Sequence, residues 1–463
     1  MQWKRSLDSL NNLLFILKEH FLLGAILSLG VVLRFYGLGL IPGPIFDEVF
    51  YPIFALNYLN GETFFAVHPP LGSYLLSLGI YLYQLLPWTD SIMFGSVNIE
   101  DINPFSYRWI SALSSVILIY IGYKISLELM NKKGFALLVA LFLTLDGSLL
   151  VDSRIGVINS LFSLFGFMSM LFFIKALKKN KMSYFFLTGL LLGSAFSVKW
   201  NGLGFWLSMI ILVVLFFILS KFIDNFESSK QNRINLNPLN FLFVFLVPFL
   251  FYLAIWLPDL LHNNSNLIDQ HAQMISYHFD SGDQKPHPYS SPWYTWPLMI
   301  RPMGYFFESN TILGPDLVDK EIFTAIHLLP NPALSLFSFI AIVILTFKWM
   351  GFVSESIGRQ KILDELYISS FILVGYYANF LPWAFPERST FIYHYQPSAV
   401  FSFMALAYLL HEAVKKDKTE SRMLYMATLA LILISAIYWL PLHLGMPISS
   451  ESFYSKMWFI SWI

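Results

Sequence analysis

The segment FLLGAILSLGVVLRFYGLGLIPGPIFDEVFY, Phe21–Tyr51, places two adjacent carboxylates just beyond a long apolar run. The run, Phe21–Leu40, is 20 residues long, and about 20 apolar residues suffice for one helix to cross a bilayer. Asp47 and Glu48 then lie at the membrane–water boundary, where charged groups are costly to hold and commonly have a function. The segment predicts a membrane protein with a candidate active site beside its first helix. The alternative is a solvated loop in which the acids only cap a helix.

The composition of the chain is also that of a membrane protein. Of its 463 residues, 56% are hydrophobic and 13% are charged, whereas soluble domains carry about 25% charged residues. The formal net charge is zero, which removes any electrostatic case for binding nucleic acid. The chain contains no cysteine, so disulfides, thiolate zinc sites and iron–sulfur clusters are excluded.

Apolar runs of spanning length recur along the chain and predict an all-α polytopic membrane protein with about eleven transmembrane helices. A further candidate, 71–86, is ambiguous because it could cross the bilayer or lie in its interface. The basic residues Lys4, Arg5 and Lys18 precede a first run that is long enough to stay in the bilayer, so we expect no cleavable signal peptide. The eleven runs lie near 21–40, 107–128, 135–151, 154–175, 183–198, 202–221, 240–257, 333–350, 365–384, 395–412 and 423–441.

The distribution of lysine and arginine decides how 71–86 is interpreted, because cytoplasmic loops carry an excess of both. If 71–86 does not cross, the lysine-rich connections all fall on the side of the basic N-terminus, and residues 41–107 contain neither lysine nor arginine. We therefore predict that 71–86 is a juxtamembrane helix on the outer surface, beginning after Pro69-Pro70. The cytoplasmic connections would carry Lys132, Lys133, Lys178, Lys179, Lys181, Lys230, Arg233, Arg359, Lys361, Lys415, Lys416 and Lys418.

This topology gathers polar residues on the outer side, and their types fit one reaction at a membrane surface. A carboxylate acts as a general base when it removes the proton of a hydroxyl that attacks an activated carbon. An anionic leaving group needs cations, and arginine suits phosphate oxygens. A sugar linked to a polyprenyl phosphate combines these features, and aromatic residues could stack on its ring. The candidate residues are Asp47, Glu48, His68, Arg108, Arg154, Lys199, Trp200, Trp293, Arg388 and His394.

Several of these candidates have a purely structural alternative. Arg108 and Arg154 could snorkel at helix ends. His68 could cap the helix that follows Pro-Pro, and Trp293 could anchor the chain in the membrane interface. His394 could be an ordinary buried histidine with hydrogen-bond partners.

A metal requirement is not expected from the sequence. Asp47, Glu48 and His68 are residue types that could hold a divalent cation. No tight ligand spacing such as HExxH accompanies them. We therefore predict that the reaction needs no metal.

Six segments of the chain resemble motifs of protein O-mannosyltransferases, the family that moves mannose from a polyprenyl or dolichyl-type phosphate to Ser or Thr of proteins. They occur in the order of the family and extend from residue 46 to residue 397. The segments are FDEVFY at 46–51, VHPPLG at 67–72, SRIGVINSLF at 153–162, FSVKWNGLG at 196–204, HPYSSPWYTWPLMIRPMGYF at 287–306 and LPWAFPERSTFIYHYQP at 381–397.

The resemblance implies a GT-C glycosyltransferase fold and an inverting reaction without a nucleotide-sugar site. It assigns Asp47 as the catalytic base and Glu48 as a neighbour that places acceptor or donor, while Arg154 and Lys199 bear on the phosphate. It implies no cofactor besides the lipid-linked donor, polyprenyl-phosphate mannose, and a Ser/Thr-containing acceptor protein as the partner. The remaining residues expected to shape the site are His68, Arg108, Trp200, Trp293, Arg388 and His394.

The resemblance also bears on domain organisation and location. The whole chain, 1–463, is expected to form one GT-C transmembrane domain with outer loops 41–106 and 258–332. The second loop is too short for the β-trefoil domain of eukaryotic members, so no separate soluble domain is expected. This favours a bacterial multi-pass protein of the plasma (inner) membrane whose site faces the periplasm or exterior.

The chain departs from the family pattern at Ala66 and Asn159, where acids are common, and at Ser73, where lysine is common. These departures bear on the identity of the sugar more than on the transferase reaction. Three alternatives remain: a GT-C transferase that glycosylates a lipid or cell-wall polymer, a lipid-linked sugar transporter, and a noncatalytic scaffold. The one-sided placement of polar residues argues against a transporter, and a scaffold leaves the acidic pair unexplained.

Overall fold

The computed structural model describes residues 20–89, 92–223, 238–279, 287–313, 319–386 and 388–463. These residues form a bundle of helices with one small antiparallel sheet. The helices are α1 (His20–Phe35), α2 (Tyr51–Asn60), α3 (Leu71–Gln84), α4 (Phe105–Met130), α5 (Lys133–Leu145), α6 (Gly147–Ser153), α7 (Asn159–Lys179), α8 (Met182–Val198), α9 (Leu203–Leu219), α10 (Pro238–His262), α11 (Leu267–Phe279), α12 (Pro332–Gly358), α13 (Asp364–Phe380), α14 (Gln396–Val414), α15 (Thr419–Leu444) and α16 (Ser450–Lys456). The strands are β1 (Met303–Leu313), β2 (Asp319–Leu328) and β3 (Pro447–Ser449).

Each predicted apolar run coincides with a helix, except that 135–151 is divided between α5 and α6, which meet at an angle of 59°. Among the described residues, seven helices are long and apolar enough to cross a membrane. The bent pair of α5 and α6 is an eighth if it is counted as one span. Helices α1 and α8 are apolar but shorter. The prediction of a polytopic helical fold is confirmed, and the count of eleven spans stays a prediction. The basic residues of 1–19 and the loop with Lys230 and Arg233 lie outside the described part.

Local signals in the sequence explain where several helices begin and end. Helices α4 and α7 end at Asn131 and Asn180, which adopt the left-handed conformation with φ of 52° and 48°, as is common after a helix C-terminus. Asp146 caps α6 by accepting a hydrogen bond from Leu149 N at 2.8 Å. These polar residues lie at helix boundaries within long, largely apolar stretches.

The predicted juxtamembrane helix is present as α3 and packs against α2 and α4. Its 14 residues correspond to about 21 Å, which is shorter than the hydrocarbon core of about 30 Å. Ser77 Oγ donates to the carbonyl of Ala55 at 2.9 Å, and Trp109 Nε1 donates to that of Gly79 at 3.0 Å. These contacts hold α3 against its neighbours in the first predicted outer loop.

The core of the bundle is centred on α7, which packs against α4, α8 and α9. Most residues in the apolar stretch of α7 are buried inside the protein. A Cβ atom at Gly166 would collide with the ring of Phe205, so this glycine permits the close approach of α9. The tight packing of α7 and α9 fixes the polar ends of both helices, where the candidate site lies.

The sequence analysis did not predict the sheet, of which β1 and β2 lie within 258–332, the second predicted outer loop. Strands β1 and β2 form an antiparallel hairpin, and the short β3 pairs with the other side of β2. The β1–β2 register shifts between Gly304 and Phe306, which leaves Tyr305 as the extra residue of a β-bulge. Buried Phe323 and Ala325 alternate with the less buried Ile322 and Thr324, whereas the end of β2 is buried throughout, so only the middle of the strand shows a period of two.

Candidate active site

The acidic pair lies in a single 3-10 turn, Phe46–Val49, between α1 and α2. The carboxylate of Glu48 is fully buried and accepts four hydrogen bonds. Its Oε1 accepts from Arg108 Nε and from Gly156 N, both at 2.7 Å. Its Oε2 accepts from Arg108 Nη2 at 2.7 Å and from Ile45 N at 3.0 Å. Glu48 therefore ties the turn to α4 and to the loop that follows α6.

Arg108 and Arg154, both predicted to bind substrate, hold protein groups together instead. Arg108 uses its remaining hydrogen bonds on the carbonyls of Leu38 and Ile41, at 3.1 and 2.7 Å from Nη1. Arg154 Nη1 donates to the carbonyl of Tyr36 at 2.8 Å and to two more at the end of α1. The two side chains are only 1% and 8% exposed, so neither snorkels. Their hydrogen bonds satisfy carbonyls in the last turn of α1 and in the segment that follows it.

Asp47 adjoins Glu48 in the chain but has a different environment. Within the described residues no hydrogen bond reaches its carboxylate, although its backbone carbonyl accepts from Phe50 N at 3.0 Å. Burial raises the pKa of Asp47 to about 6; the ammonium of Lys199 opposes this rise and the carboxylate of Asp152 adds to it. An unpaired carboxylate with a pKa near neutrality is suited to proton transfer.

A second carboxylate, Asp152 on α6, lies close enough to Asp47 to affect its pKa. The hydroxyl of Tyr305 donates to Asp152 Oδ1 at 3.1 Å. The ring of Tyr305 stacks on that of Phe46, with centroids 3.8 Å apart and planes 9° from parallel. The β-bulge thus turns Tyr305 into the site, where it covers the residue that precedes Asp47.

Lys199 supplies a buried positive charge at the junction of α8 and α9. Its Nζ donates to Asn159 Oδ1 at 2.9 Å and lies 5.2 Å from the centre of the Tyr393 ring. Burial lowers the pKa of Lys199 to about 8, with a further lowering by Arg388, while Asp152 and Asp47 raise it. Because Asn159 is neutral, it does not cancel the charge of the ammonium.

Arg388 and His68 line a cavity of about 490 Å³ beside this lysine. Within the described residues, the guanidinium of Arg388 has no hydrogen bond and no ion pair. The ring of His68 stacks between those of Tyr51 and His278, at 6.0 and 5.4 Å. Burial lowers the pKa of His68, with Lys199, His278 and Arg388 contributing. His68 is therefore neutral at physiological pH, and the net charge of the cavity comes from the cations.

The cavity continues into an apolar groove between α9 and α13. The groove has a volume of about 400 Å³ and shares Leu207, Ala378 and Pro382 with the cavity. Its lining also includes Leu381 and Phe385, which are 47% and 82% exposed. A polar head and a long apolar tail could therefore be bound together, with the tail leading out of the bundle.

The three aromatic candidates lie at different distances from the cavity. Trp200 lines it, and its Nε1 donates to the hydroxyl of Tyr252 at 3.0 Å. His394 is buried against Trp383, with ring centroids 4.0 Å apart. Trp293 packs edge-on against Phe380 at 4.9 Å and is not part of the cavity lining. Of the three, Trp200 is the best placed to contact a bound sugar.

The candidate site includes residues that the sequence analysis did not name as site residues: Asp152, His278, Tyr305 and Tyr393. His278 lines the cavity, and its Nε2 pairs with the carbonyl of Val67 at 2.9 Å. Tyr305 and Tyr393 fall inside two of the motif segments, which was a usable signal. Asp152 lies directly before the Ser-Arg motif and is buried at 1% exposure, and a lone acid in an apolar run is itself a signal.

Within the part of the chain that the structure describes, no group of three or more His, Cys, Asp or Glu side chains could hold a metal ion. Asp47 and His68 are both at the site, but Glu48 is engaged by Arg108 and backbone groups. The three residues that the sequence raised as a candidate metal set are therefore not arranged around one point.

Comparison with known proteins identifies relatives of similar sequence. The family model described as dolichyl-phosphate-mannose-protein mannosyltransferase matches residues 24–264. A model of the C-terminal four TMM region of protein-O-mannosyltransferase matches residues 263–462. The polyprenol-phosphate-mannose–protein mannosyltransferase of Mycolicibacterium smegmatis is 24% identical over 512 residues, covering 94% of this chain and 92% of that protein. Dolichyl-phosphate-mannose–protein mannosyltransferase 5 of Candida albicans is 27% identical over 212 residues, covering 43% and 28%.

Solved structures of glycosyltransferases share the fold. The Saccharomyces cerevisiae protein O-mannosyltransferase Pmt1-Pmt2 complex bound to the sugar donor has a TM-score of 0.77 at 14% identity, covering 96% of this chain and 93% of that chain. ArnT from Cupriavidus metallidurans bound to undecaprenyl phosphate has a TM-score of 0.53 at 11% identity, covering 91% and 74%. The expected GT-C fold is confirmed. Since the first family model covers more than half of its residues, this chain belongs to the dolichyl-phosphate-mannose–protein mannosyltransferase family.

Proposed function

We propose that this chain transfers mannose from polyprenyl-phosphate mannose to Ser or Thr hydroxyls of proteins, with inversion at the sugar carbon. One observation carries the proposal. Asp47, whose carboxylate has no hydrogen bond among the described residues, lies with the cations Lys199 and Arg388 beside a cavity that continues into an apolar groove. Base, phosphate-binding charge and lipid-binding surface are the three requirements of this reaction. The sequence similarity to named mannosyltransferases over nearly the whole chain supports it.

Asp47 is the proposed general base. Its carboxylate takes the proton of the acceptor hydroxyl while the hydroxyl oxygen bonds to the anomeric carbon. The bond between that carbon and the phosphate oxygen breaks at the same time, and polyprenyl phosphate leaves with the electron pair. A pKa of about 6 leaves Asp47 ionised at neutral pH, yet makes it a stronger base than an ordinary aspartate.

Lys199 and Arg388 are the proposed ligands of the phosphate. The donor is a phosphodiester with one negative charge, and the leaving lipid phosphate gains a second charge as the bond breaks. Cations held in place before the reaction stabilise that developing charge more than they stabilise the bound donor. Arg388 is free of hydrogen bonds among the described residues, and the direct hydrogen-bond partner of Lys199, Asn159, is neutral.

The prenyl tail is proposed to lie in the groove between α9 and α13, whose lining is almost entirely apolar. This places the sugar near His68, His278 and Trp200, which line the cavity. The aromatic ring of Trp200 offers a stacking surface for the sugar. The tail then extends past Leu207 and Phe385 to the outside of the bundle.

Glu48, Arg108 and Arg154 are proposed as positioning residues, since their hydrogen bonds go to protein groups. Trp293 and His394 are proposed to support the outer wall of the site through Phe380 and Trp383. All five were expected to act on substrate or in catalysis. The geometry favours an indirect role for each of them.

The remaining expectations are part of the same proposal. We propose one GT-C domain for the whole chain, 1–463, with outer loops 41–106 and 258–332, in the plasma (inner) membrane of a bacterium. The site would face the periplasm or exterior, where acceptor proteins emerge. The reaction would need no metal, and the lipid-linked donor would be its only cosubstrate.

The test is transfer of radiolabelled mannose from polyprenyl-phosphate mannose to a Ser/Thr-rich peptide by the purified protein in nanodiscs. Asp47→Asn should lose turnover and retain donor binding. Glu62→Gln is a matched control, because Glu62 is an exposed acid of the same outer loop. Normal turnover by Asp47→Asn would remove Asp47 as the base. Transfer of mannose to a lipid but not to the peptide would mean that the acceptor is a lipid, and the protein would still be a transferase.

A further inference from the structure

Strand β1 has one edge paired with β2 and one edge that no described strand covers. Its outward part, residues 307–311, is exposed to solvent. Unpaired strand edges present a row of N–H and C=O groups that attract other extended chains, so natural proteins protect them with lysine, proline or short strands. The segment FFESNTIL, Phe306–Leu313, contains no lysine, arginine or proline.

The opposite edge of the same sheet is closed by a short strand, whereas the open edge of β1 carries only the bulge at Tyr305 and the single charge of Glu308. Strand β3 covers β2 there, is only three residues long and begins with Pro447. The hairpin is also packed against α6, α15 and α16 through β2. One side of the sheet is thus closed, and the other presents an 11-residue strand, Met303–Leu313. This contrast indicates that the open edge is a binding surface.

The inner end of β1 reaches the active site. Tyr305 stacks on Phe46 at 3.8 Å, and Phe46 directly precedes Asp47. The same tyrosine donates to Asp152 at 3.1 Å. From Tyr305 to Leu313 the strand extends about 27 Å at about 3.4 Å per residue. A chain that pairs with the exposed residues 307–311 therefore begins two residues from Tyr305, which contacts Phe46 and Asp152, and extends away from the site.

We propose that the free edge of β1 binds the acceptor polypeptide as an added antiparallel or parallel strand, with the glycosylated residue at the Asp47 end. The proposal rests on the proposed function, which requires a polypeptide hydroxyl at Asp47. The ligand is an extended, unfolded segment rich in Ser and Thr, because backbone hydrogen bonds can read any sequence. Thr suits a strand through its branched side chain. Proline is excluded where the ligand must donate an N–H to β1.

Strand addition predicts a specific dependence on the peptide backbone. In a β-ladder, alternate residues of one strand direct their N–H groups to the same neighbour. Single N-methylation along the acceptor should therefore raise KM at every second residue on one side of the hydroxyl. Each lost hydrogen bond should raise KM about 2- to 10-fold, with little change in kcat. Equal effects at all positions, or none, would overturn the proposal while leaving the transferase function intact.

A binding test independent of turnover uses the absence of cysteine from the chain. Asn310→Cys places a single thiol on the exposed part of β1, and Glu451→Cys places one on exposed α16 as a matched control. Under mild oxidation, acceptor peptides with one cysteine should form a disulfide with the β1 variant and not with the control. The best cysteine position in the peptide should shift by two residues when the protein thiol is moved from Asn310 to Glu308.

Each outcome of the disulfide experiment distinguishes the proposal from its rivals. Equal trapping by both variants would mean nonspecific contact and would overturn it. Protein–protein disulfides at Asn310→Cys without peptide would mean that β1 pairs with a second copy of the chain, which would also overturn it. Specific trapping without any mannosyl-peptide would uphold the docking edge and count against the proposed reaction, so the two failures are separable.

Discussion

The carboxylate of Glu48 and the guanidinium of Arg108 form a two-point ion pair, Nε to Oε1 and Nη2 to Oε2, both at 2.7 Å. Their side chains are 0% and 2% exposed. This pair holds the turn that carries Asp47. Of two adjacent acids, Glu48 is held in an ion pair, and the carboxylate of Asp47 has no hydrogen bond within the described residues.

The ion pair should matter for stability as well as for the position of Asp47. Glu48→Gln leaves Arg108 buried without its partner, which costs about 3–5 kcal/mol in comparable pairs. Thermal unfolding in detergent should show a large loss of stability for Glu48→Gln and little loss for Asp47→Asn. The double variant Glu48→Gln, Arg108→Gln should be less destabilised than the sum of the single variants. Full stability of Glu48→Gln would show that the pair does not hold the turn.

The loop that donates to Glu48 offers a second way to disturb this pair. A Cβ at Gly156 would lie 2.7 Å from the Tyr107 ring and 3.0 Å from Pro52. Gly156→Ala should therefore displace the N–H that binds Glu48 Oε1 at 2.7 Å and lower kcat without changing donor affinity. Gly351→Ala is the matched control, because no atom lies within 4 Å of its added Cβ. Equal kinetics of the two variants would contradict the positioning role.

The pH dependence of transfer should be bell-shaped. Asp47 acts as a base only when ionised, so its pKa of about 6 predicts that kcat/KM falls as the pH drops below about 6. Lys199 binds phosphate only when protonated, so its pKa of about 8 predicts a fall above about 8. The histidines do not account for the acid limb, because burial lowers the pKa of His278 to about 4 and also lowers that of His68.

Lys199→Arg tests which group sets the alkaline limb. Arginine stays charged throughout this range, so the fall above about pH 8 should disappear while the acid limb remains. Initial rates measured from pH 5 to about 9.5 at subsaturating donor would show this. An unchanged alkaline limb in the variant would assign it to another group.

The two cations should contribute to binding the donor phosphate and, more strongly, to stabilising the leaving lipid phosphate, so their loss should raise the donor KM and lower kcat. Charge-assisted hydrogen bonds contribute about 1.5–3 kcal/mol each, so Arg388→Ala should raise the donor KM about 10- to 100-fold. Arg388→Lys should restore part of the lost donor affinity, because lysine carries the positive charge but lacks the planar guanidinium that can bind two phosphate oxygens. Arg359→Ala is the control, since Arg359 is an exposed partner of Glu355 at the far end of α12. A normal donor KM for Arg388→Ala would exclude Arg388 from the phosphate site.

The sequence predicted the architecture well because bilayer crossing depends on local composition. Lysine counting also predicted that 71–86 is a helix that does not cross the bilayer; α3 is present there, and its place outside the bilayer stays a prediction. The sequence could not reveal that Arg108 and Arg154 bind carbonyls such as those of Leu38 and Tyr36. Backbone acceptors exist at every residue and leave no trace in the sequence, so an arginine that binds them resembles one that binds phosphate.

The parts of the site that the sequence analysis missed depend on changes of direction in the chain. Asp152 reaches the site because α5 and α6 meet at 59°, whereas a straight helix would have carried it elsewhere. Tyr305 reaches Asp152 because the bulge after Gly304 turns its side chain out of the regular alternation. Bends and bulges of this kind arise from tertiary packing, which a single sequence does not display.

The groove between α9 and α13 opens sideways past Leu381 and Phe385, which are 47% and 82% exposed. A lipid-linked donor would enter there from the bilayer, whereas a polypeptide would approach Asp47 from the aqueous side. With separate entrances, neither substrate blocks the other, and steady-state kinetics should follow a random sequential mechanism. Lipid phosphate should then inhibit competitively against the donor and noncompetitively against the peptide, so accumulation of the spent carrier would slow glycosylation however abundant the acceptor protein is.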